Sequence, residues 1–473
     1  MPIISEVKEK LIYSTSSLND ISGEAFNKDL IDNSALKDLP PRTFLKASYF
    51  ALPDGNIFID KYIPEKFGVI PVFKENLRYP PQYFVDLHNK VSSFNTYNHL
   101  GARVSLPHNK INVNKFREYL PKDYDDNVLM QYLEFGFPLG LVEDFILHPS
   151  LKNHSSSYEY FSHIDKFMAN ELKFGGVTGP FNNSPYSPIM ISPLMTAPKK
   201  PSSRRAVFDA SFGDFSLNLN TPEKVYVGEE SEFIFPKLDD FAYLILSLGP
   251  GCYLWKRDLS RFFLQLPLDP LDYDKVACVW RGLLFHFTSF VWGCRHAGLN
   301  GQRVSNAVSR IHNHLGLSNH LIPFNILNYS DDYAGAELTL ENAMLSFTAL
   351  SSLLSELGLS ESVDKAVSPT TTLIYLGVEF DSVKMEMRIG SEKCLELKSD
   401  LITWCRKTVA TKQEIQSILG KLMWVSRAVK FSWAFICRVI SEVKNFSTQK
   451  QKTTLSTEIK KEFFMVVSFH EYI

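Results

Sequence analysis

Between Cys252 and Phe380 the chain switches hydrophobic period several times, and the order of those switches restricts its fold more than any other feature. CYLWKRD, Cys252 to Asp258, reads as a buried strand ending in a charge, followed by an aromatic turn through Phe262 and Phe263 and a Trp- and Phe-rich hairpin. Val304, Ala307, Val308 and Ile311 then recur at helical spacing. Phe324–Tyr329 reads as a strand, Asp331-Asp332 as a hairpin tip, and the run to Leu338 as the returning strand. Leu340, Met344, Phe347, Leu350, Leu354 and Leu357 mark one face of a second helix, with Gly358 as its C-cap. TLIYLGVEF, 372–380, reads as the closing strand.

The implied order is β-α-β-β-α-β, an α+β unit of the split βαβ (ferredoxin-like) kind, in which the first strand lies beside the central hairpin. That adjacency would bring Asp258 next to Asp331 and Asp332 in ILNYSDDYAGAE. Two other acid pairs lack this setting. Asp125-Asp126 lies in a polar stretch without flanking strands, and Asp239-Asp240 sits where a helix start favours acids. Three clustered carboxylates raise one another's pKa and call for a cation, with magnesium, or manganese, the hard divalent choice. Two such ions about 3.5–4 Å apart would activate a 3′-hydroxyl and steady a leaving pyrophosphate.

With 473 residues and 45% hydrophobic content the chain can bury one large core or two to three smaller ones. A formal charge of -2 places any polyanion site in local clusters. One such cluster runs from Cys405 to Thr454, with ten Lys or Arg against Glu414 and Glu442. Six cysteines form no C-x-x-C pair, no apolar leader opens the chain, and no apolar run is long enough to span a membrane, so an intracellular setting, cytoplasmic or nuclear, is expected. His312, His314 and His320 lack neighbouring Cys or acidic ligands and read as surface or core residues.

WKRDLSRFFLQLPL, YSDDYAGA and LGLSESVDKAVSPTTTLIYLGVEFD, in this order, resemble palm motifs of reverse transcriptases. GPFNNSPYSPIMISPLMTAPKKPSSRRAVFDAS resembles the start of their fingers, and ATKQEIQSILGKLMWVSRAVKFSWAFICRVI their thumb. Phrases such as LEFGFPLGL and SILGKL are similar to the DIRS-like, tyrosine-recombinase retrotransposons. The resemblance covers roughly Asn98 to Arg438. It departs at Ser330, where a larger apolar residue is usual, at Gly298 and Gly301 in the second palm motif, and at VKFSWAF in place of a Pro-Gly turn.

The resemblance implies a right-hand polymerase fold with a split βαβ palm: fingers over 181–250, palm over 251–395 and a helical thumb over 396–445. A pre-polymerase region would occupy 96–180, a region of unassigned role 1–95, and 446–473 a truncated connection towards an absent RNase H domain. The implied activity is RNA-directed DNA synthesis on an RNA or DNA template with primer, using deoxynucleoside triphosphates, alongside other element-encoded proteins. The alternative is an inactive or domesticated remnant that binds nucleic acid. Asp258, Asp331 and Asp332 would bind magnesium, and Lys365 would protonate the leaving pyrophosphate. Lys199, Lys200 and Arg205 would hold the triphosphate, Phe263 would wall the sugar and Gln302 would touch nucleotide or template. Thr411 and Glu414 form a T-x-x-E capping box for a helix whose Lys421 and Arg427 would face the duplex.

Overall fold

The computed structural model describes residues 49–51, 57–59, 111–126, 128–142, 152–181, 184, 189–200, 203–214, 216–231, 235–426, 437–443, 448 and 451–468. Most of 1–95, and Arg427, fall outside them. Helix α1 (Phe161–Phe174) leads into β1 (Val177–Phe181) and the hairpin of β2 (Leu194–Lys200) and β3 (Ser203–Phe208). Helix α2 (Leu238–Leu248) opens on a reciprocal cap in which the Asp240 carboxylate accepts the Lys237 N–H at 2.6 Å, so Asp239 and Asp240 do occupy a first helical turn.

The next elements are β4 (Tyr253–Asp258), the hairpin β5 (Ala277–Trp280) and β6 (Leu283–Phe287), α3 (Ala297–His320), β7 (Ile326–Tyr329), β8 (Asp332–Glu337), α4 (Leu340–Leu357) and β9 (Val367–Thr370). Four of these strands form one antiparallel sheet in the order β7-β8-β4-β9, while β6 joins β1 and β5 in another. Strand alternation divides the four-stranded sheet between two cores. Trp255 and Tyr333 bury with Val304, Ile311 and Leu350 of α3 and α4. Leu254, Ala334 and Ala336 bury on the other face with Phe241 and Ile245 of α2. Each large apolar side chain removed from water this way contributes on the order of 2 kcal/mol.

The closing strand differs from the sequence expectation. TLIYLGVEF bends back on itself as β10 (Thr372–Tyr375) and β11 (Val378–Asp381), which with β12 (Glu386–Ile389) form a separate sheet. Leu376 and Gly377 take φ of 47° and 87°, the two-residue left-handed turn that joins hairpins. Leucine there hides the turn from a reader of the sequence, and the strand beside β4 is instead the weakly apolar VSPT of β9. Helix α4 also rotates from its expected face: Ala343, Ser346 and Leu353 bury, whereas Leu340 and Met344 are exposed.

Beyond β12 come α5 (Ser391–Arg406), α6 (Lys412–Val425) and α7 (Thr457–Ser468). The capping box of α6 is formed, with the Thr411 N–H donating to Glu414 at 2.8 Å and the Glu414 N–H to the Thr411 hydroxyl at 3.3 Å. Ile415, Ile418, Leu422 and Val425 are its buried stripe. Among the described residues no helix is long and apolar enough to cross a membrane.

Two glycines give opposite stability expectations. A Cβ on Gly335 would lie 2.2 Å from the Trp255 indole, whereas one on Gly420 would meet nothing within 4 Å. Gly335→Ala should therefore lose about 1–3 kcal/mol by overpacking, and Gly420→Ala should gain roughly 0.5–1 kcal/mol of helix stability. Urea unfolding midpoints of the two variants moving in the same direction would contradict this packing account.

Candidate active site

The β7–β8 hairpin turns through only two residues, Ser330 and Asp331, because Tyr329 pairs directly with Asp332. Ser330 adopts φ 54°, a left-handed conformation that serine tolerates less well than glycine or asparagine. Across the neighbouring ladder Asp332 pairs with Asp258, so both carboxylates stand on one face at the ends of adjacent strands. Main-chain bonds fix this end of the sheet: Leu259 N–H donates to the Asp331 carbonyl at 2.9 Å and Ser362 N–H to the Asp258 carbonyl at 2.7 Å. The Lys365 ammonium, in the turn that Ser362 starts, donates to Asp258 Oδ1 at 2.6 Å.

The charges here are strained. Burial first, then the hydrogen bond with Asp258 and its charge, push Asp332 up to about 7. Asp331 is raised by burial and by Asp258, against its own backbone amide and Lys365. Burial pulls the Lys365 ammonium down, but its bond to Asp258 and the fields of Asp331 and Asp332 leave it above the ordinary lysine value. Among the described residues no three His, Cys, Asp or Glu side chains stand close enough to hold a metal ion as they are. The donor chemistry nevertheless fits a hard divalent cation: oxygen ligands, negative charge in excess, and a single lysine in direct contact with one of the acids.

A second charged region adjoins the first through Arg261, three residues beyond Asp258. Arg261 pairs with buried Glu171 of α1 and lies 4.0 Å from the Phe174 ring centre. With Lys166, Arg204, Arg205 and Trp292 it lines a cavity of about 610 Å³. Arg205 is exposed there, whereas Arg204 is tied to the Thr196 hydroxyl at 2.9 Å and stacked on Tyr160. Lys199 is exposed near the hairpin tip; of Lys200 only the backbone is described. Lys166 and Arg261 were not expected from the sequence, although the spacing of Arg261 from Asp258 could have drawn attention to it.

No protein-family model and no curated protein matches the sequence. Solved structures do. One is the foamy viral protease-reverse transcriptase dRH in complex with double-stranded DNA, at 16% identity and a TM-score of 0.52 over 88% of this chain. Another is the foamy viral protease-reverse transcriptase with double-stranded DNA, at 16% identity and a TM-score of 0.50 over 85% of this chain. The chain has a reverse-transcriptase-like fold. It spans 64% of the length of the first of these proteins and 73% of the second.

Within the reverse-transcriptase-like fold the remaining expected residues divide. Phe263 is half-buried, its ring lying where a Cβ on Gly301 would come within 2.7 Å, which explains the glycine in the second motif. Gln302 is not at an open surface: it is 5% exposed, and its amide is committed to the hairpin. Lys421 does not project freely either, because Glu396 at 2.9 Å and Asp400 at 2.5 Å on α5 hold its ammonium. Arg427 lies outside the described residues. Asp126, in the polar stretch without flanking strands, forms a two-pronged pair with Arg303 of α3 at 2.7 Å and accepts the Leu129 N–H at 3.1 Å. His312 is a buried core histidine bonded to the Ser346 carbonyl, and burial lowers it to about 3.

The raised Asp332 carries a pH signature. Its folded value near 7 exceeds the ordinary 3.8, so folding favours the protonated form, and that contribution is lost as pH rises from about 4 through 7. Asp332→Asn lacks the loss. In metal-free buffer the Tm of the variant minus that of wild type should climb over this window and then level off. A difference that stays flat would mean that Asp332 ionises freely.

Proposed function

We propose that the chain is an RNA-directed DNA polymerase, the reverse transcriptase of a retrotransposon related to the DIRS-like group. The observation that carries this reading is the opposition of Asp258 and Asp332 on adjacent strands, with Asp331 in the joining turn. The reverse-transcriptase-like fold supports a nucleic-acid-binding, nucleotidyl-transferring role. In this reading the four-stranded sheet is a split βαβ palm, the β2–β3 hairpin belongs to the fingers, and α5 and α6 belong to the thumb.

Asp258, Asp331 and Asp332 would hold magnesium or manganese. When bound, the ions supply an acidified primer 3′-hydroxyl and charge neutralisation at the leaving pyrophosphate. Lys365 keeps its proton at Nζ beside the acids, available to a departing pyrophosphate. Arg205, Lys199 and Lys200 bind the triphosphate of a deoxynucleotide, with Arg261 and Lys166 adding positive charge to the same region. Phe263 packs against the sugar and excludes a 2′-hydroxyl. Primer-template binding draws on the basic residues beyond Cys405, with Lys421 muted by its two acidic partners. The rival reading is a nucleic-acid-binding remnant that keeps the fold without catalysing the transfer.

Primer extension on a homopolymer RNA, across magnesium and manganese series, separates the two readings. Wild type should extend; pure folded protein inactive in both metals would favour the remnant. Asp331→Asn should reduce extension on the order of a thousandfold, about 4 kcal/mol of transition-state stabilisation, with primer-template affinity nearly unchanged. Asp240→Asn, at a helix cap remote in sequence from the acids, should do neither. Sugar choice tests Phe263 separately. Phe263→Ala should admit ribonucleotides in competition with deoxynucleotides, and an unchanged selectivity ratio in a folded variant would return the ring to the core.

A further inference from the structure

We infer that Gln302 and Ser305 of α3 are positioning residues that grip the Ser330 peptide from both sides and so set where Asp331 and Asp332 stand. The inference rests on the reading of those acids as the catalytic group. Gln302 Oε1 accepts the Ser330 N–H at 2.9 Å, and the Ser305 hydroxyl donates to the Ser330 carbonyl. The other end of the Gln302 amide donates to the Asn328 carbonyl at 3.2 Å and to Asn306 Oδ1 at 2.8 Å. Asn328 Nδ2 donates to the same Asn306 oxygen at 2.9 Å, and the Ser309 hydroxyl donates to Asn328 Oδ1 at 2.8 Å. Positions 302, 305, 306 and 309 fall on one helical face, so α3 presses a polar stripe against the inner side of β7.

Such a stripe needs a reason. Gln302 and Asn328 are 5% exposed and Ser305 is fully buried, while Ser309 is half-buried and Asn306 exposed. Buried amides and hydroxyls are unfavourable unless paired, and an apolar stripe would fill the space without that demand. What the polar stripe adds is direction: a satisfied network permits one hairpin placement where apolar packing permits several. The turn needs the help, because Ser330 is held left-handed without a glycine or asparagine to favour it. Released from the grip, the turn can relax, carrying Asp331 and Asp332 away from Asp258 while strand pairing beyond the tip persists.

The test uses the full chain and three variants: Gln302→Met, which keeps length but no hydrogen bonds; Ser305→Ala; and Ser305→Thr, which keeps the hydroxyl. Hydrogen exchange is followed by mass spectrometry on peptides covering 326–333 and 253–258, without metal, and Mn²⁺ affinity and primer extension are measured in parallel. Gln302→Met and Ser305→Ala should each speed exchange at 326–333 about tenfold with little change at 253–258. Mn²⁺ affinity should weaken several-fold, and kcat should fall ten- to a hundredfold with the KM for deoxynucleotide within about threefold. Ser305→Thr should lie nearer wild type than Ser305→Ala in all three. The proposal is overturned if both variants fold with wild-type exchange and Mn²⁺ affinity. It is equally overturned if exchange rises uniformly across both peptides, or if a variant does not fold, because the residues then support the core and not the turn. A wild type that does not extend primers would refute the polymerase reading alone, since exchange and Mn²⁺ binding still score the grip.

Discussion

The register between β4 and β8 is the constraint on which the site depends. Six residue pairs run from Tyr253 opposite Glu337 to Asp258 opposite Asp332. In the middle of the ladder Trp255 lies against Gly335, so closely that any side chain there would meet the indole. A slip of one residue would set a side-chain-bearing neighbour against Trp255 and turn one of the two terminal acids to the opposite face. The large ring and the missing side chain therefore fix, several residues away, the pairing of two carboxylates that repel each other.

Alternation along β4 also explains why that repulsion is only partly relieved from within the strand. Arg257 precedes Asp258 but points to the helical side, where it pairs with Glu361 at 2.8 Å and lies 3.7 Å from the Phe347 ring centre. Lys256 shares the face of the acids and only partly offsets the rise of Asp332. The cation in direct contact comes from a distant segment, Lys365, whose turn is tied back to β4 by the Ser362 amide. Since its ammonium is half-exposed, the contact is strong in geometry and modest in energy, and another cation can compete for Asp258.

Much of this was legible in the sequence because period and spacing carry it. The hairpin acids, the first strand, the two helices after it, the Gly358 cap and the T-x-x-E box all follow from local rules. What stayed hidden depends on partners remote in sequence or on conformations a residue type does not announce. Leu376 in a left-handed turn made a hairpin look like one strand. Lys421 looked free until α5 brought Glu396 and Asp400 to it, and nothing near Asp126 in the sequence announces Arg303 of α3. Exposed-looking charges are the residues a linear reading misplaces most readily, because their burial depends on what folds over them.

Gln302 shows a different limit. The apolar period of α3, read through Val304, Ala307, Val308 and Ile311, correctly marks the face packed into the core. It says nothing of the adjacent face, where polar residues would ordinarily mean solvent. Here that face meets Asn328 of β7, and an amide that reads as a ligand contact is consumed by main chain. One helix therefore serves two purposes at once. Its apolar stripe holds the sheet to the core by burial, which is strong but indifferent to small displacements. Its polar stripe holds the hairpin tip by directed bonds, which add little net stability but define position. The proposed joint action of Asp331 and Asp332 with Asp258 requires position more than strength, which gives the polar stripe its physical justification at this place in the fold.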